Sequence, residues 1–172
     1  MNAVRSGVRI GLGYDVHPFA AGRPLRLGGV EIPHTRGLAG HSDGDVLCHA
    51  VADALLGALG LGDLGSRFPD TDPKWRGADS TELLRLVCTE VTAHGARVVN
   101  VDTVVIAEEP RLAPHLAAIR ASLAALLEAP EGSVSIKPKR AEGVAMGGAN
   151  GIAVQAVVLL SLGESHNEER GS

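Results

Sequence analysis

The chain has 172 residues, a formal net charge of -4, and 45% hydrophobic but only 2% aromatic residues. This length predicts a single domain over residues 1–172 with an aliphatic core and disordered tails at 1–6 and 164–172. The absence of a basic stripe argues against nucleic acid as a partner, and no apolar run approaches the roughly 20 residues of a membrane span. With Cys48 and Cys88 as the only cysteines and no apolar run typical of a signal peptide near the N-terminus, we expect a cytoplasmic protein.

The hydrophobic pattern of the chain indicates where its strands and helices lie. Alternating or β-branched apolar runs predict strands, and apolar residues spaced three and four apart predict helices. Helices and strands alternate in the second half, which predicts an α/β sandwich with helices over one face of a sheet. In chain order, we predict a strand at 7–13, a hairpin at 25–32, a helix from a cap at Ser42 or Asp43 to Leu59, a helix from Asp79 or Ser80 to about His94, a strand at 98–107, a helix from Pro110, and strands at 133–137 and 151–162.

The segment from Leu61 to Gly77 has no periodic pattern and contains two prolines and three aspartates. Irregular loops of this length in compact domains are usually either functional or disordered. Two interpretations therefore stay open. The segment is a lid over a polar ligand, or it is a solvated linker.

Two short stretches of the chain together contain the ligand types of a metal site. Asp15 and His17 are two residues apart at the end of the first predicted strand, so their side chains share a face. His49 shares a helix face with Asp45 and Asp53, away from the apolar stripe, and can point toward the strand end. Two imidazoles and one carboxylate are typical of a zinc site with an open fourth position. The alternative is an ordinary polar histidine, because the Asp-x-His pattern is short.

Five short motifs stand out along the chain. They are Gly13–Phe19 (GYDVHPF), His41–Asp45 (HSDGD), Gly62–Gly65 (GDLG), Phe68–Pro73 (FPDTDP) and Gly77–Ser80 (GADS). In this order they resemble the 2-C-methyl-D-erythritol 2,4-cyclodiphosphate synthase family, and the resemblance extends over about residues 7–162. It implies a ferredoxin-like α/β subunit with helices on one face of a mixed sheet, assembled as a homotrimer with active sites between subunits. It also implies a phosphorus–oxygen lyase that cyclises 4-diphosphocytidyl-2-C-methyl-D-erythritol 2-phosphate and releases CMP.

The resemblance further implies roles for individual residues. Asp15, His17 and His49 match zinc ligands. Glu142 matches the ligand of a second divalent cation, Mg²⁺ or Mn²⁺, and His41 matches a residue that stabilises the transition state. The remaining matches are the substrate contacts Ser42, Asp63, Gly65, Phe68, Asp70 and Asp72, and the cytidine contacts Ala107, Pro110, Arg111, Leu112 and Ala113.

The chain departs from the family over residues 138–150. The family's Lys-Ala-Thr-Thr-Thr-Glu run corresponds here to Lys-Pro-Lys-Arg-Ala-Glu, which ends at Glu142 and lacks all three threonines. Three interpretations stay open. Lys139 and Arg140 replace hydroxyl contacts with charge, with Lys139 binding substrate and Arg140 acting in catalysis. Alternatively, the protein acts on another cytidine-diphosphate substrate or is a non-catalytic zinc- and nucleotide-binding trimer, or the pair is merely solvated.

Overall fold

The structure, a computed structural model, describes residues 7–142 and 150–163. The two predicted tails and residues 143–149 of the divergent segment lie outside these ranges. Short 3₁₀-helices lie at Pro73–Trp75, Ala113–His115 and Glu131–Ser133. The strands and α-helices are β1 (Gly7–Ala20), β2 (Leu25–Leu27), β3 (Val30–Ile32), β4 (Gly37–Leu38), α1 (Val46–Leu59), α2 (Leu64–Arg67), α3 (Ser80–Ala93), β5 (Ala96–Ala107), α4 (Leu116–Leu126), β6 (Val134–Lys139) and β7 (Gly151–Leu162).

Five of the strands form one mixed sheet in the order β4-β1-β7-β5-β6. β7 pairs antiparallel with both β1 and β5, while β5 and β6 are parallel. The short strands β2 and β3 form a separate antiparallel hairpin. This arrangement confirms the predicted ferredoxin-like α/β sandwich, in which the helices pack on one face of the sheet.

The two faces of β1 have different surroundings. Gly11 and Gly13 are buried against α1, whereas the alternate residues point away from the helices. Val8, Ile10 and Leu12 are 66%, 69% and 69% exposed. We call this side the open apolar face. Its exposed members are Val8, Ile10, Leu12, Tyr14 and Val16 on β1 and Val157 on β7.

Strand β1 comes unusually close to helix α1. A Cβ atom placed on Gly13 would lie 1.9 Å from the carbonyl oxygen of Ala50, and one on Gly11 would lie 1.8 Å from that of Ala54. Real Cβ atoms cannot approach backbone so closely, so only glycine permits this packing. The close approach places the second half of β1 beside the first turn of α1.

Two predicted boundaries in the first half of the chain were wrong. β1 continues to Ala20 instead of ending at residue 13, because its last residues pair with β4 and with the start of β7. Helix α1 is capped by Asp45, whose side chain accepts the amide proton of Cys48 at 3.0 Å. Neither Ser42 nor Asp43 is the cap, because both lie before the first turn.

The predicted helix start at Pro110 was also wrong. The chain is irregular after β5, and the first helical turn is the 3₁₀-helix Ala113–His115. The amide of His115 donates to the carbonyl of Leu112 at 2.9 Å, and Leu112 is buried in the core. The turn therefore starts at a buried leucine rather than at the preceding proline.

Within residues 7–142 and 150–163, no helix has the length and apolar character needed to cross a membrane. A cytoplasmic location stays a prediction from the sequence.

Candidate active site

The side chains of Asp15, His17 and His49 converge on one point between β1 and α1. The Oδ2 atom of Asp15 lies 2.8 Å from Nε2 of His17 and 3.0 Å from Nδ1 of His49, and the two nitrogens are 3.2 Å apart. In the part of the chain that the structure describes, this is the group of histidine, cysteine and acidic side chains that could hold a metal ion. The structure thus brings the three predicted ligands together.

The spacing of these three atoms fits a tetrahedral zinc site. Zinc bonds to nitrogen and oxygen of about 2.0–2.1 Å place neighbouring ligand atoms about 3.3 Å apart. The observed separations are 2.8, 3.0 and 3.2 Å, so outward shifts of about half an ångström at most would accommodate the ion. Three protein ligands leave the fourth position for a non-protein oxygen.

The electrostatics of the triad also favour a cation. Burial disfavours the charged carboxylate of Asp15, but its hydrogen bonds with His17 and His49 outweigh burial and hold its pKa well below the usual range. Burial likewise disfavours a charged His17, but the hydrogen bond with Asp15 prevails and raises the pKa of His17. The carboxylate therefore stays ionised and attracts positive charge, either a proton on His17 or a metal ion that displaces it.

The ring nitrogens that face away from the triad have their own partners. Nδ1 of His17 donates to the carbonyl of Ala39, which leaves Nε2 free to bind a metal. Nε2 of His49 lies 2.9 Å from the hydroxyl of Ser80 and 3.1 Å from that of Ser42. Such outer contacts orient metal-binding imidazoles.

A cavity of about 160 Å³ lies directly above the triad. His17 and His49 of the triad form part of one wall. The predicted lid forms the other, and its Phe68 and Trp75 rings meet edge to face with 4.8 Å between their centroids. This placement favours the lid interpretation over the solvated linker. The lining residues are His17, His41, Ser42, His49, Leu64, Gly65, Phe68, Trp75 and Leu83.

The end of the lid is hydrogen-bonded to the loop that carries His41. The amide of Gly77 donates to the carbonyl of His41 at 2.8 Å, and the amide of Asp43 donates to that of Ala78 at 3.1 Å. At the start of the lid, a carboxylate oxygen of Asp53 accepts the amide proton of Leu64 at 2.7 Å. Both ends of the lid are therefore tied to the elements that hold the triad.

Four predicted substrate residues, His41, Ser42, Gly65 and Phe68, line this cavity. The buried Nδ1 of His41 has no hydrogen-bond partner among the described residues, which is unusual for a buried polar atom.

Three other predicted substrate residues do not line the cavity. Asp63 caps α2 by accepting the amide proton of Ser66 at 2.7 Å. Asp72 caps the 3₁₀-helix Pro73–Trp75 by accepting the amide proton of Lys74 at 3.0 Å. Asp70 is exposed. Their contacts with substrate remain predictions.

A second cavity, of about 140 Å³, lies where β5 and β6 end side by side. All five predicted cytidine contacts line it. Lys139 and Arg140, which we call the basic pair, line it too, and both are exposed. The parallel pairing of Ile106 with Lys139 brings these two segments together. The lining residues are Ala107, Glu108, Pro110, Arg111, Leu112, Ala113, Pro138, Lys139 and Arg140.

The two cavities lie at the same end of the sheet. His17 of β1 pairs with Ile152 of β7, which in turn pairs with Ala107 of β5. Adjacent strands are about 4.8 Å apart, so the backbones of His17 and Ala107 are separated by about 10 Å. Glu142 is exposed, has a φ of 51°, and lies outside the three-ligand group.

Comparison with known proteins identifies the family. Residues 8–161 match the model of the YgbB family. The chain belongs to the YgbB family. This finding agrees with the resemblance seen in the motifs.

Several similar proteins bear the same enzyme name. The 2-C-methyl-D-erythritol 2,4-cyclodiphosphate synthase of Alcanivorax borkumensis is 55% identical over 154 residues, 89% of this chain and 96% of the relative. The synthase of Salinibacter ruber is 55% identical over 150 residues, 87% and 96% of the two chains. A solved synthase in a CDP-bound form has a TM-score of 0.82 at 44% identity, covering 88% of this chain and 99% of that one.

Sequence reasoning missed one supporting residue of this YgbB-family site. The carboxylate of Asp45 is fully buried and accepts the amide protons of Gly28 at 2.9 Å and Gly29 at 2.7 Å, as well as that of Cys48. It therefore joins the β2–β3 hairpin to the first turn of α1, one turn before His49. The available signal was its position immediately before the first apolar residue of the helix.

We expect the substitution His49→Ala to abolish stoichiometric zinc binding, because it leaves two ligands where a zinc site needs three or four. Metal content after gel filtration, measured by mass spectrometry, checks this. The matched control is His94→Ala, since His94 is exposed at the end of α3 and lies outside the triad. One zinc ion per chain retained by His49→Ala would contradict the ligand assignment.

Proposed function

We propose that this protein is a zinc-dependent 2-C-methyl-D-erythritol 2,4-cyclodiphosphate synthase, a phosphorus–oxygen lyase. It converts 4-diphosphocytidyl-2-C-methyl-D-erythritol 2-phosphate into the cyclic diphosphate and CMP, a step of non-mevalonate isoprenoid biosynthesis. The observation that carries the proposal is the three-ligand group beneath the lid, in a chain 55% identical to synthases of that name.

The reaction needs no nucleophile from the protein. An oxygen of the substrate's own 2-phosphate attacks the β-phosphorus, a new phosphorus–oxygen bond forms, and the bond to the oxygen of CMP breaks. Catalysis then consists of aligning the two phosphates and neutralising their charge. His41 suits this task because it lines the cavity beside the triad and its Nδ1 has no hydrogen-bond partner among the described residues.

Two cations fit the proposed chemistry. Asp15, His17 and His49 would hold zinc, which when bound supplies Lewis-acid polarisation of a phosphate oxygen. Glu142 would hold a second divalent cation, Mg²⁺ or Mn²⁺, because a hard ion with few protein ligands suits a diphosphate. The exposed carboxylate of Glu142 leaves room for such an ion and its water ligands.

The basic pair takes over the work of the missing threonines in this proposal. Lys139 and Arg140 line the same cavity as Pro110 and Arg111 of the predicted cytidine loop. A cation at this place would face the diphosphate of a nucleotide whose base occupies the loop, and arginine can bind phosphate with two parallel hydrogen bonds. This favours substitution of hydroxyl contacts by charge over a solvated pair.

A homotrimer with active sites between subunits completes the proposal. The open apolar face carries six exposed apolar side chains on the adjacent strands β1 and β7. Contiguous apolar patches on soluble proteins mark interaction surfaces, and association of three copies would cover this one.

We expect the purified protein with zinc, magnesium and the cytidine-diphospho-methylerythritol phosphate to yield CMP and the cyclic diphosphate in ³¹P NMR spectra. Removal of both metals with a chelator should abolish turnover, and their return should restore it, because alignment and charge neutralisation depend on them. No turnover in a zinc-loaded trimer would instead favour another cytidine-diphosphate substrate or a non-catalytic binding role.

The role of the basic pair is checked by the KM of Arg140→Ala. Loss of a charge-assisted hydrogen bond worth about 1.5–3 kcal/mol should raise KM by about 10- to 100-fold. Arg97→Ala is the matched control, since Arg97 lies on β5 next to Ala96, which pairs with Leu162 at the far end of the sheet. An Arg140→Ala enzyme with the wild-type KM would contradict the proposal that Arg140 replaces a missing threonine contact.

The trimer is checked by a charge placed on the open apolar face. We expect Ile10→Lys to convert the trimer into monomers, because burying an unpaired ammonium in an apolar interface is strongly unfavourable. Sedimentation velocity measures the state. Leu86→Lys is the control, since Leu86 is a 48% exposed leucine on α3. If both variants sediment as the wild type does, this face is not the interface.

A further inference from the structure

We propose that Ser80 and Asp43 are positioning residues that hold His49 in the one tautomer able to bind the metal. They act through a hydrogen-bond chain that runs from Asp43 to Ser80 to His49. The inference rests on the zinc site of the proposed function and extends it beyond the three ligands.

The three residues come from three different parts of the fold. Ser80 begins α3 and is 1% exposed, His49 lies on α1 and is 8% exposed, and Asp43 lies in the loop before α1. The hydroxyl of Ser80 is 2.9 Å from Nε2 of His49 and donates to Oδ1 of Asp43. The chain therefore reaches the side of the His49 ring that faces away from the metal position.

The direction of each hydrogen bond follows from the chemistry of its end group. An ionised carboxylate can only accept, so the single hydroxyl proton of Ser80 goes to Asp43. The oxygen of Ser80 is then left as an acceptor toward His49, which places the ring proton of His49 on Nε2. A metal ion bound at Nδ1, the atom that faces Asp15 and His17, would displace any proton there, and the neutral ring would keep its proton on Nε2.

Other groups besides Ser80 hold the Asp43 side chain in place. Nη1 of Arg26 lies 3.6 Å from Oδ2 of Asp43, and the amides of Asp45 and Ser80 each lie 3.3 Å from Oδ1. These contacts fix the orientation of the carboxylate toward the hydroxyl of Ser80. An arrangement of this kind, in which a carboxylate acts through a serine, would serve as the outer shell that metal-binding histidines usually have.

Ser42 is the competing partner for the same ring nitrogen. Its hydroxyl lies 3.1 Å from Nε2 of His49 and 3.1 Å from the hydroxyl of Ser80. It also accepts the amide proton of Gly44 at 3.2 Å. No carboxylate takes its proton in the described contacts, so nothing forces Ser42 to accept from His49, and the chain assigns that role to Ser80.

The test is zinc affinity, measured by competition with a chromophoric chelator. We expect Ser80→Ala to weaken zinc binding by about 10- to 100-fold, the range typical of outer-shell partners. Asp43→Asn should weaken it less, by about tenfold, because an amide oxygen still accepts but without charge. Thr103→Val is the matched control, since Thr103 is fully buried and its hydroxyl donates to the carbonyl of Ser135 at 2.9 Å. It should bind zinc as the wild type does.

A second readout reports the tautomer directly. Long-range ¹H–¹⁵N NMR spectra of histidine-labelled, zinc-loaded wild type should show His49 protonated at Nε2, with slow exchange of that proton. In Ser80→Ala this proton should exchange rapidly, whereas in Thr103→Val it should remain slow. A general loss of stability would not separate these two variants.

The outcomes are distinct. A wild-type protein that binds no zinc overturns the zinc site and the proposed function together. A wild type that binds zinc, with Ser80→Ala indistinguishable from Thr103→Val, overturns only the positioning role. Weakening by Ser42→Ala but not by Ser80→Ala assigns the anchor to Ser42 and also overturns the proposal. If metal-free Ser80→Ala is unfolded by circular dichroism, Asp43→Asn decides, and wild-type affinity in that variant overturns the proposal.

Discussion

The contact on which the site depends is the backbone approach of β1 to α1 at two glycines. Side chains at Gly11 or Gly13 would collide with the carbonyls of Ala54 or Ala50, so the helix would have to move outward. Ala50 directly follows His49, and Gly13 lies two residues before Asp15. A triad whose atoms lie within 3.2 Å of one another cannot tolerate such a displacement. The ligand geometry is therefore set by the absence of two Cβ atoms.

Local periodicity was sufficient to predict the parts of this site that depend on one element at a time. Asp15 and His17 share a face because strand side chains alternate, and the turn spacing of α1 places His49 off its apolar stripe. The same reasoning placed the cap of α1 at Ser42 or Asp43, and this prediction was wrong, because the cap is Asp45. Asp45 also accepts from the amides of Gly28 and Gly29, which lie 17 and 16 residues away and are brought to it by the tertiary fold.

The second cavity also depends on a contact between distant segments that local sequence patterns do not predict. The sequence presents residues 107–113 and 138–140 as separate segments, and only the parallel pairing of β5 with β6 brings them to one place. Composition alone gave no reason to put Lys139 and Arg140 near the cytidine loop. Pro110 misled the prediction of a helix start, because a favourable first-turn residue carries less weight than the burial of Leu112.

The hydrogen bonds between the end of the lid and the loop of residues 41–43 have a thermodynamic consequence. Gly77 and Ala78 are joined to His41 and Asp43, and this loop leads directly into the helix that carries His49. Order in the lid and occupancy of the metal position therefore share one set of contacts. By thermodynamic linkage the two effects are equal. The factor by which an ordered lid increases the affinity for the metal is the factor by which bound metal shifts the lid toward its ordered state. In the synthase proposed above, a cation bound at the triad would then favour the ordered lid even before a nucleotide binds.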